Sequence, residues 1–125
     1  MSPAKILIVD DELDLTETIR FSLELEGCNV LVASNGEEGL NLARQEKPDL
    51  ILLDLMLPKL DGYKVCRLLK FDERYKHIPI LMLTAKTQEK DKILGKETGA
   101  NEYITKPFDM DELMAKIKSY LSKQE

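Results

Sequence analysis

Five short aliphatic runs recur along the chain, at residues 5–9 (KILIV), 29–33 (NVLVA), 50–53 (LILL), 78–83 (IPILML) and 102–104 (EYI). Four of them are apolar at nearly every position instead of at every second one. That pattern is typical of strands that are covered on both faces, as in a parallel sheet. The runs therefore predict five strands in the middle of a layered α/β domain.

The stretches between the first three runs have the periodicity and the end signals of helices. In the first stretch an apolar residue recurs at every fourth position, at Leu15, Ile19 and Leu23. Gly27 then offers a left-handed C-terminal cap. The second stretch opens with Ser34 and Glu37, the spacing of a capping box, and ends before Pro48. Both stretches predict amphipathic helices.

Three further helices are predicted after residue 60. The first of them, preceded by a turn at Asp61–Gly62, has one apolar face made of Val65, Leu68 and Leu69. The next, over 88–98 (QEKDKILGKET), has little apolar content and is interrupted by Gly95. The last begins with Asp109 and Glu112 as a capping box and carries one apolar stripe of Leu113, Ile117 and Tyr120.

This alternation predicts a (βα)5 fold, a doubly wound parallel five-stranded sheet with helices on both faces. We expect a single domain over 1–125, with an ordered core at approximately 4–122. In open α/β sheets of this kind, ligands bind beyond the carboxyl ends of the strands, at the point where the strand order reverses. Functional residues are therefore to be sought at those ends.

Composition and charge exclude several classes of function. The chain has 125 residues and a formal net charge of −5, which argues against direct nucleic-acid binding because that needs a basic face. No apolar run approaches the length of a membrane span, and no signal peptide is recognisable, so we expect a cytoplasmic protein. Cys28 and Cys66 read as small buried hydrophobes, and the single histidine, His77, as a loop residue.

Acidic and basic side chains follow the predicted strands at one edge of the sheet. The polar residues at the strand ends, which we expect to converge, are Asp10, Asp11 and Glu12 after strand one, Asp54 after strand three, Thr84 after strand four and Lys106 after strand five. Two carboxylates about 4 Å apart repel by about 4 kcal/mol at an intermediate dielectric, so this crowding suggests a cation between them. Oxygen ligands are those that Mg²⁺ prefers. A carboxylate beside the metal could attack a phosphoryl group and form an aspartyl phosphate.

Four fragments carry a resemblance to a known family. ILIVDDE, LILLDLMLPKLDGY, ILMLTAK and NEYITKPF, in this order and at these intervals, resemble the receiver domain of two-component response regulators, and the likeness covers the whole chain. The resemblance implies the flavodoxin-like fold with strand order 2-1-3-4-5. It also implies a signalling domain that catalyses only its own phosphorylation and dephosphorylation, and is not otherwise an enzyme.

The resemblance assigns roles to seven residues. Asp54 resembles the phosphoacceptor, and Asp10, Asp11, Asp54 and the backbone carbonyl of Met56 resemble the ligands of Mg²⁺, for which Mn²⁺ can substitute. Lys106, followed by a cis bond to Pro107 in the family, resembles the lysine that pairs with the phosphoryl group. Thr84 resembles the switch hydroxyl and Tyr103 the switch aromatic.

The family's partners are expected here as well. They are a sensor histidine kinase or phosphotransfer protein as donor, and an output domain or separate protein that responds to the surface of helix four, strand five and helix five. A phosphorylation-dependent dimer is compatible with this scheme. Both a stand-alone receiver and a piece of a longer, even DNA-binding, regulator stay open.

Plainer interpretations of the same residues stay open too. Asp10 and Asp11 could serve as acids at a helix N-terminus, Tyr103 could be a packing residue, and Glu12 is expected to support the helix start instead of the metal. At the level of function, two alternatives are a degenerate receiver that only binds partners and a flavin carrier on the same fold. Carboxylates at the edge of the sheet would repel the phosphate of a flavin.

Overall fold

The computed structural model describes residues 3–85 and 99–123, and its strands follow the five aliphatic runs. The strands are β1 (Lys5–Val9), β2 (Asn29–Ala33), β3 (Leu50–Asp54), β4 (Ile80–Ala85) and β5 (Glu102–Lys106). They form one sheet in the order β2-β1-β3-β4-β5, and all neighbouring pairs are parallel. The predicted fold and strand order are confirmed.

Four helices lie within the described residues: α1 (Leu13–Leu25), α2 (Gly36–Glu46), α3 (Gly62–Lys70) and α4 (Met110–Ser122). The α4 helix is the last of the five that the sequence predicts. The helix predicted over 88–98, together with its Gly95, lies outside the described residues.

Two hydrophobic layers cover the sheet, one on each face. The odd and even positions of β1 point to opposite sides: Leu7 and Val9 pack with α2 and α3, whereas Ile6 and Ile8 pack with α1 and α4. The central strands β1, β3 and β4 are almost completely buried, while β2 and β5 are only partly buried at the edges. This two-sided burial explains why the central strands are continuously apolar.

The helix ends confirm most of the predicted caps and correct one. Gly27 has the left-handed φ of 89° that was expected after α1, and Asp109 accepts hydrogen bonds at the start of α4. The predicted cap at Ser34 is wrong: Asn35 is the N-cap of α2 and accepts from the backbone N–H of Glu38 at 2.9 Å. Serine and asparagine cap equally well, so their order in the sequence did not separate them.

The apolar face of α3 differs from the prediction by one residue. Val65 and Leu69 are buried as expected, but Leu68 is 45% exposed and Cys66 is buried in its place. The start of this helix is fixed by Asp61, whose side chain accepts from the backbone N–H of Lys64 at 3.0 Å. Gly62 follows in close contact with the strand end of β3, because a Cβ atom there would collide with the backbone carbonyl oxygen of Asp54.

The single histidine and the two cysteines have ordinary environments. His77 is exposed in a turn, as predicted. Cys66 is buried, but Cys28 is only half-buried, and both are free thiols. Among the described helices, none combines the length and apolar character needed to cross a membrane.

Candidate functional site

The carboxyl ends of four strands bring the predicted site residues together. Asp10 directly follows β1, and Asp54 is the last residue of the neighbouring β3. Lys106 ends β5 opposite Ala85 in β4, one residue beyond Thr84. The strands β3, β4 and β5 run one or two residues further than their apolar runs, because sheet pairing continues through the polar residues at the edge. The predicted convergence is therefore present in the fold.

Three carboxylates form a compact cluster at this edge. Asp10, Asp11 and Asp54 each offer an oxygen that lies within 4.8 Å of the other two. Asp10 is fully buried and Asp54 nearly so, while Asp11 is exposed. The cluster is thus open to solvent on the side of Asp11 and closed by protein behind Asp10.

Lys106 reaches into the same cluster from β5. Its ammonium nitrogen Nζ lies 2.9 Å from Asp10 Oδ2 and 3.0 Å from Glu12 Oε1. The distance from Nζ to Asp54 Oδ2 is longer, at 3.7 Å. In the described structure, Lys106 therefore donates hydrogen bonds to Asp10 and Glu12 and has a weaker electrostatic contact with Asp54.

Burial and neighbouring charges shift the pKa values of both Asp54 and Lys106. Burial raises the pKa of Asp54 to about 6, and the neighbouring Asp10 adds to the effect, although Lys106 and the backbone N–H of Met56 oppose it. Burial alone would lower the pKa of Lys106, but its hydrogen bond to Asp10 and the charge of Asp54 raise it. At neutral pH, Asp54 is mostly ionised and Lys106 is charged.

The segment after Asp54 also contributes to the site. The backbone N–H of Met56 donates to Asp54 Oδ1 at 3.2 Å, which holds one carboxylate oxygen in place. The side chain of Met56 is 63% exposed and points away from the core. The backbone N–H of Met56 is thus tied to the cluster, whereas the predicted role of its carbonyl as a metal ligand stays a prediction.

Thr84 and Tyr103, the two predicted switch residues, occupy different environments. Thr84 is buried, and its hydroxyl Oγ1 has no hydrogen-bond partner among the residues that the structure describes. A buried hydroxyl without a partner is costly, which suggests that a ligand oxygen completes it. Tyr103 is half-buried and packs against the hydrophobic layer on the side of α2 and α3.

The surroundings of Glu12 differ from the prediction that its side chain supports the start of α1. It occupies the N-cap position of α1, but its side chain makes no capping hydrogen bond. Its carboxylate contacts Lys106 instead, a residue 94 positions away in the chain. The run of three acids signalled a charged edge but gave no sign of this pairing, because the lysine belongs to a distant strand.

The sequence model of the response regulator receiver domain matches residues 6–118. The chain belongs to the response regulator receiver domain family. It is a receiver domain of the two-component response regulators, and the resemblance seen in the sequence is confirmed. The order of strands and the acidic strand ends agree with this assignment.

Similar proteins extend the comparison. The chain is 51% identical over 121 residues to the alkaline phosphatase synthesis transcriptional regulatory protein PhoP of Bacillus subtilis, covering 97% of this chain and 50% of that protein. A response regulator from Chloroflexus aurantiacus has a solved structure that matches with a TM-score of 0.90 and 39% identity, over 96% of this chain and 98% of that one. The receiver domain spans about half the length of the curated relatives it matches.

A third structure bears on the metal. The receiver domain of a sensor histidine kinase from Pseudomonas aeruginosa, with a magnesium ion coordinated in its active site cleft, matches with a TM-score of 0.87 and 30% identity, over 96% of this chain and 98% of that one. In the present chain, the carboxyl groups of Asp10, Asp11 and Asp54 lie together at the same edge as Lys106. Their oxygen donors suit a hard divalent cation, so the acidic cluster could hold one.

Proposed function

We propose that this receiver domain accepts a phosphoryl group onto Asp54 and stores a signal in that covalent bond. The donor is the phosphohistidine of a sensor kinase or phosphotransfer protein, and small acyl phosphates can replace it. The observation that carries the proposal is the position of Asp54. Its carboxylate is nearly buried, lies among two other acids, and has Lys106 within 3.7 Å.

The transfer is a displacement at phosphorus. A carboxylate oxygen of Asp54 attacks, the new O–P bond forms, and the P–N bond of the phosphohistidine breaks. The bonding electron pair goes to the imidazole nitrogen, and the ring leaves neutral because its other nitrogen carries a proton. With acetyl phosphate, the P–O bond breaks and acetate leaves as the carboxylate. Hydrolysis later returns Asp54 to its carboxylate and releases inorganic phosphate.

Magnesium is the cofactor that the cluster suits best, with manganese as a substitute. Asp10, Asp11, Asp54 and the backbone carbonyl of Met56 would hold it. When bound, the cation supplies positive charge that offsets the carboxylates and attracts phosphoryl oxygens. The donor set supports this role, since each of the three acids offers an oxygen within 4.8 Å of the others.

Two side chains of the protein act on the transferring group directly. The ammonium of Lys106 would donate to one phosphoryl oxygen and the hydroxyl of Thr84 to another. The buried Oγ1 of Thr84, without a partner in the described residues, supports this assignment. Such donors matter most where charge builds up during the transfer.

Thr84 also links the phosphoryl group to the rest of the domain. When its hydroxyl turns towards the phosphoryl oxygen, Tyr103 rotates inward and repacks the side of the sheet that carries β5. The surface of the predicted helix over 88–98, β5 and α4 then changes its affinity for an output partner. The half-buried position of Tyr103 at the edge of the core supports this movement.

The output acts through a partner or a further domain. The chain covers about half of PhoP and of the DNA-binding dual master transcriptional regulator RpaA of Synechocystis. We propose that an output domain or a separate protein partner receives the signal. Any DNA-binding surface would belong to that domain or partner. The net charge of −5 makes this domain itself a poor ligand for DNA.

Intact-mass spectrometry tests the acceptor. The wild-type domain is incubated with acetyl phosphate and Mg²⁺, beside Asp54→Asn and a charge-matched control, Asp14→Asn, which changes an exposed acid in the first turn of α1. We expect the wild type and Asp14→Asn to gain one phosphoryl group and Asp54→Asn to gain none. A wild-type domain that stays at its original mass, or an Asp54→Asn variant that is modified, would refute the proposal.

A further inference from the structure

The ion pair between Glu12 and Lys106 has no role in the scheme above. Glu12 sits at the N-cap of α1 without capping it, and its backbone N–H donates to Asp10 Oδ1 at 2.9 Å. The carboxylate is therefore available for another partner, and that partner is Lys106, at 3.0 Å. Helix α1 begins at the end of β1, so the pair ties this helix start to the end of β5.

Lys106 is shared among three acids, and the sharing is unequal. An ammonium group has three N–H donors, and those of Lys106 bond Asp10 at 2.9 Å and Glu12 at 3.0 Å. The remaining acid, Asp54, lies at 3.7 Å, which is beyond an ordinary charge-assisted hydrogen bond. The ammonium is thus held nearer to its two partners at the β1–α1 junction than to Asp54.

Glu12 differs from Asp10 in one respect that matters here. Asp10 belongs to the group of three carboxylates that suits a cation, whereas Glu12 does not. A cation bound there would therefore draw on Asp10 and leave Glu12 as the dedicated partner of Lys106. Glu12 is also well placed to release it, because its side chain is 59% exposed and the solvent can take up the freed carboxylate.

We propose that Glu12 is a positioning residue that holds Lys106 away from Asp54 in the unphosphorylated domain and gives it up to the incoming phosphoryl group. The inference rests on the proposed function of Asp54. A phosphoryl group carries up to two negative charges and outcompetes one exposed carboxylate for the ammonium. The competition slows the transfer, so loss of the Glu12 contact accelerates it.

Two substitutions separate the contact from the charge. Glu12→Gln keeps the length of the side chain and removes its charge, whereas Glu12→Asp keeps the charge and shortens the reach to Lys106. Asp14→Asn removes an exposed charge from the first turn of the same helix and serves as the matched control. Thermal unfolding of all variants checks that the start of α1 is intact.

The rate of phosphorylation by acetyl phosphate is the first measurement. At saturating acetyl phosphate, we expect both Glu12→Gln and Glu12→Asp to react about two- to fivefold faster than the wild type, the range that one exposed ion pair allows. Asp14→Asn should keep the wild-type rate. A slower rate in either Glu12 variant, a wild-type rate in Glu12→Asp, or a change confined to the half-saturating concentration would overturn the inference.

The ammonium signal of Lys106 is the second measurement, made by ¹⁵N NMR on the unphosphorylated domain. If Glu12 restrains Lys106, both variants shift this signal and speed the exchange of its protons, whereas Asp14→Asn changes neither. An unchanged signal in both Glu12 variants overturns the inference. If the wild type gains no phosphoryl mass, the proposed function fails, and this signal alone decides whether Glu12 restrains the lysine.

Discussion

Two half-buried lysines stand at opposite ends of the sheet and have different kinds of partner. Lys70, at the end of α3, donates to the backbone carbonyls of Lys76 and Ile78 and to the side-chain oxygen of Asn101, each at 2.9 Å. Its partners are all neutral, and burial lowers its pKa. Lys106 has carboxylate partners, and its pKa is raised.

The difference indicates that Lys70 is a structural lysine and that Lys106 is suited to binding an anion. The Asn101 oxygen that binds Lys70 also accepts from the backbone N–H of Ile80 at 3.0 Å, so Lys70 joins α3, the start of β4 and the approach to β5. All three of its donors are used by fixed oxygens. Lys106 instead faces carboxylates, one of which, Glu12, is exposed to solvent, and an arriving anion can compete with them for the ammonium.

The largest expected effect separates the two lysines by reaction rate. Replacing Lys106 with Met removes a donor to the transferring group, and we expect phosphorylation by acetyl phosphate to slow by about 100-fold or more. Replacing Lys70 with Met should leave the rate within about twofold of the wild type. Time courses of intact mass measure both. Equal slowing in the two variants would contradict the distinction.

The next effect concerns stability, for which we expect Lys70 to matter more than it does for the reaction rate. Lys70→Met removes the donor from the backbone carbonyls of Lys76 and Ile78 and leaves Asn101 Oδ1 with the N–H of Ile80, so we expect the free energy of unfolding to fall by about 1–3 kcal/mol. The control is Lys76→Met, because the side chain of Lys76 makes an exposed ion pair with Glu73, and its loss should cost about 0.5 kcal/mol or less. Urea denaturation measures both. Similar losses in the two variants would argue against a structural role for Lys70.

The sequence predicted the fold and most of the site because both depend on patterns within single strands. Asp10, Asp54, Thr84 and Lys106 follow apolar runs, and parallel strands bring such ends together. The partners of Lys70 are mostly backbone carbonyls, which no residue type announces. The pairing of Glu12 with Lys106 joins distant strands and depends on side-chain conformation. Leu68 was wrongly placed on the buried face of α3, because Cys66, two positions earlier, fills the core instead.

A third prediction uses the raised pKa of Asp54. Its folded-state pKa of about 6 exceeds the ordinary value of 3.8. The group therefore contributes stability that is fully present below pH 3.8 and is lost as the pH rises through about 6. In magnesium-free buffer at pH 7, Asp54→Asn should therefore be more stable than the wild type by about 1–2 kcal/mol, less than the full shift because solvent screens the charge.

Urea denaturation at pH 4 and pH 7 measures this effect. The advantage of Asp54→Asn should shrink towards pH 4, where the wild-type carboxyl is protonated in the folded state. Asp14→Asn, which removes an exposed acid from α1, is the charge-matched control. An Asp54→Asn variant that is less stable than the wild type at pH 7 would mean that Lys106 stabilises the carboxylate more than burial and Asp10 destabilise it.

The smallest expected effect is that of the metal on stability. With Mg²⁺ at about three times its dissociation constant, the free energy of unfolding should rise by ~0.8 kcal/mol relative to buffer with EDTA. Lys70→Met should gain as much as the wild type, because its lesion is remote from the acids, whereas Asp11→Asn should gain less. Thermal unfolding with and without EDTA measures the gain, and an equal gain in Asp11→Asn would place the cation elsewhere.

The close contact at Gly62 has a mechanical consequence. Because Gly62 has no side chain, the first turn of α3 contacts the main chain of Asp54 directly. The N–H of Gly62 also donates to the Leu55 carbonyl at 3.0 Å. A displacement of the main chain at Asp54 would therefore move the first turn of α3 directly. The first turn of α3 is therefore the part of the helix that a change at this aspartate would reach first.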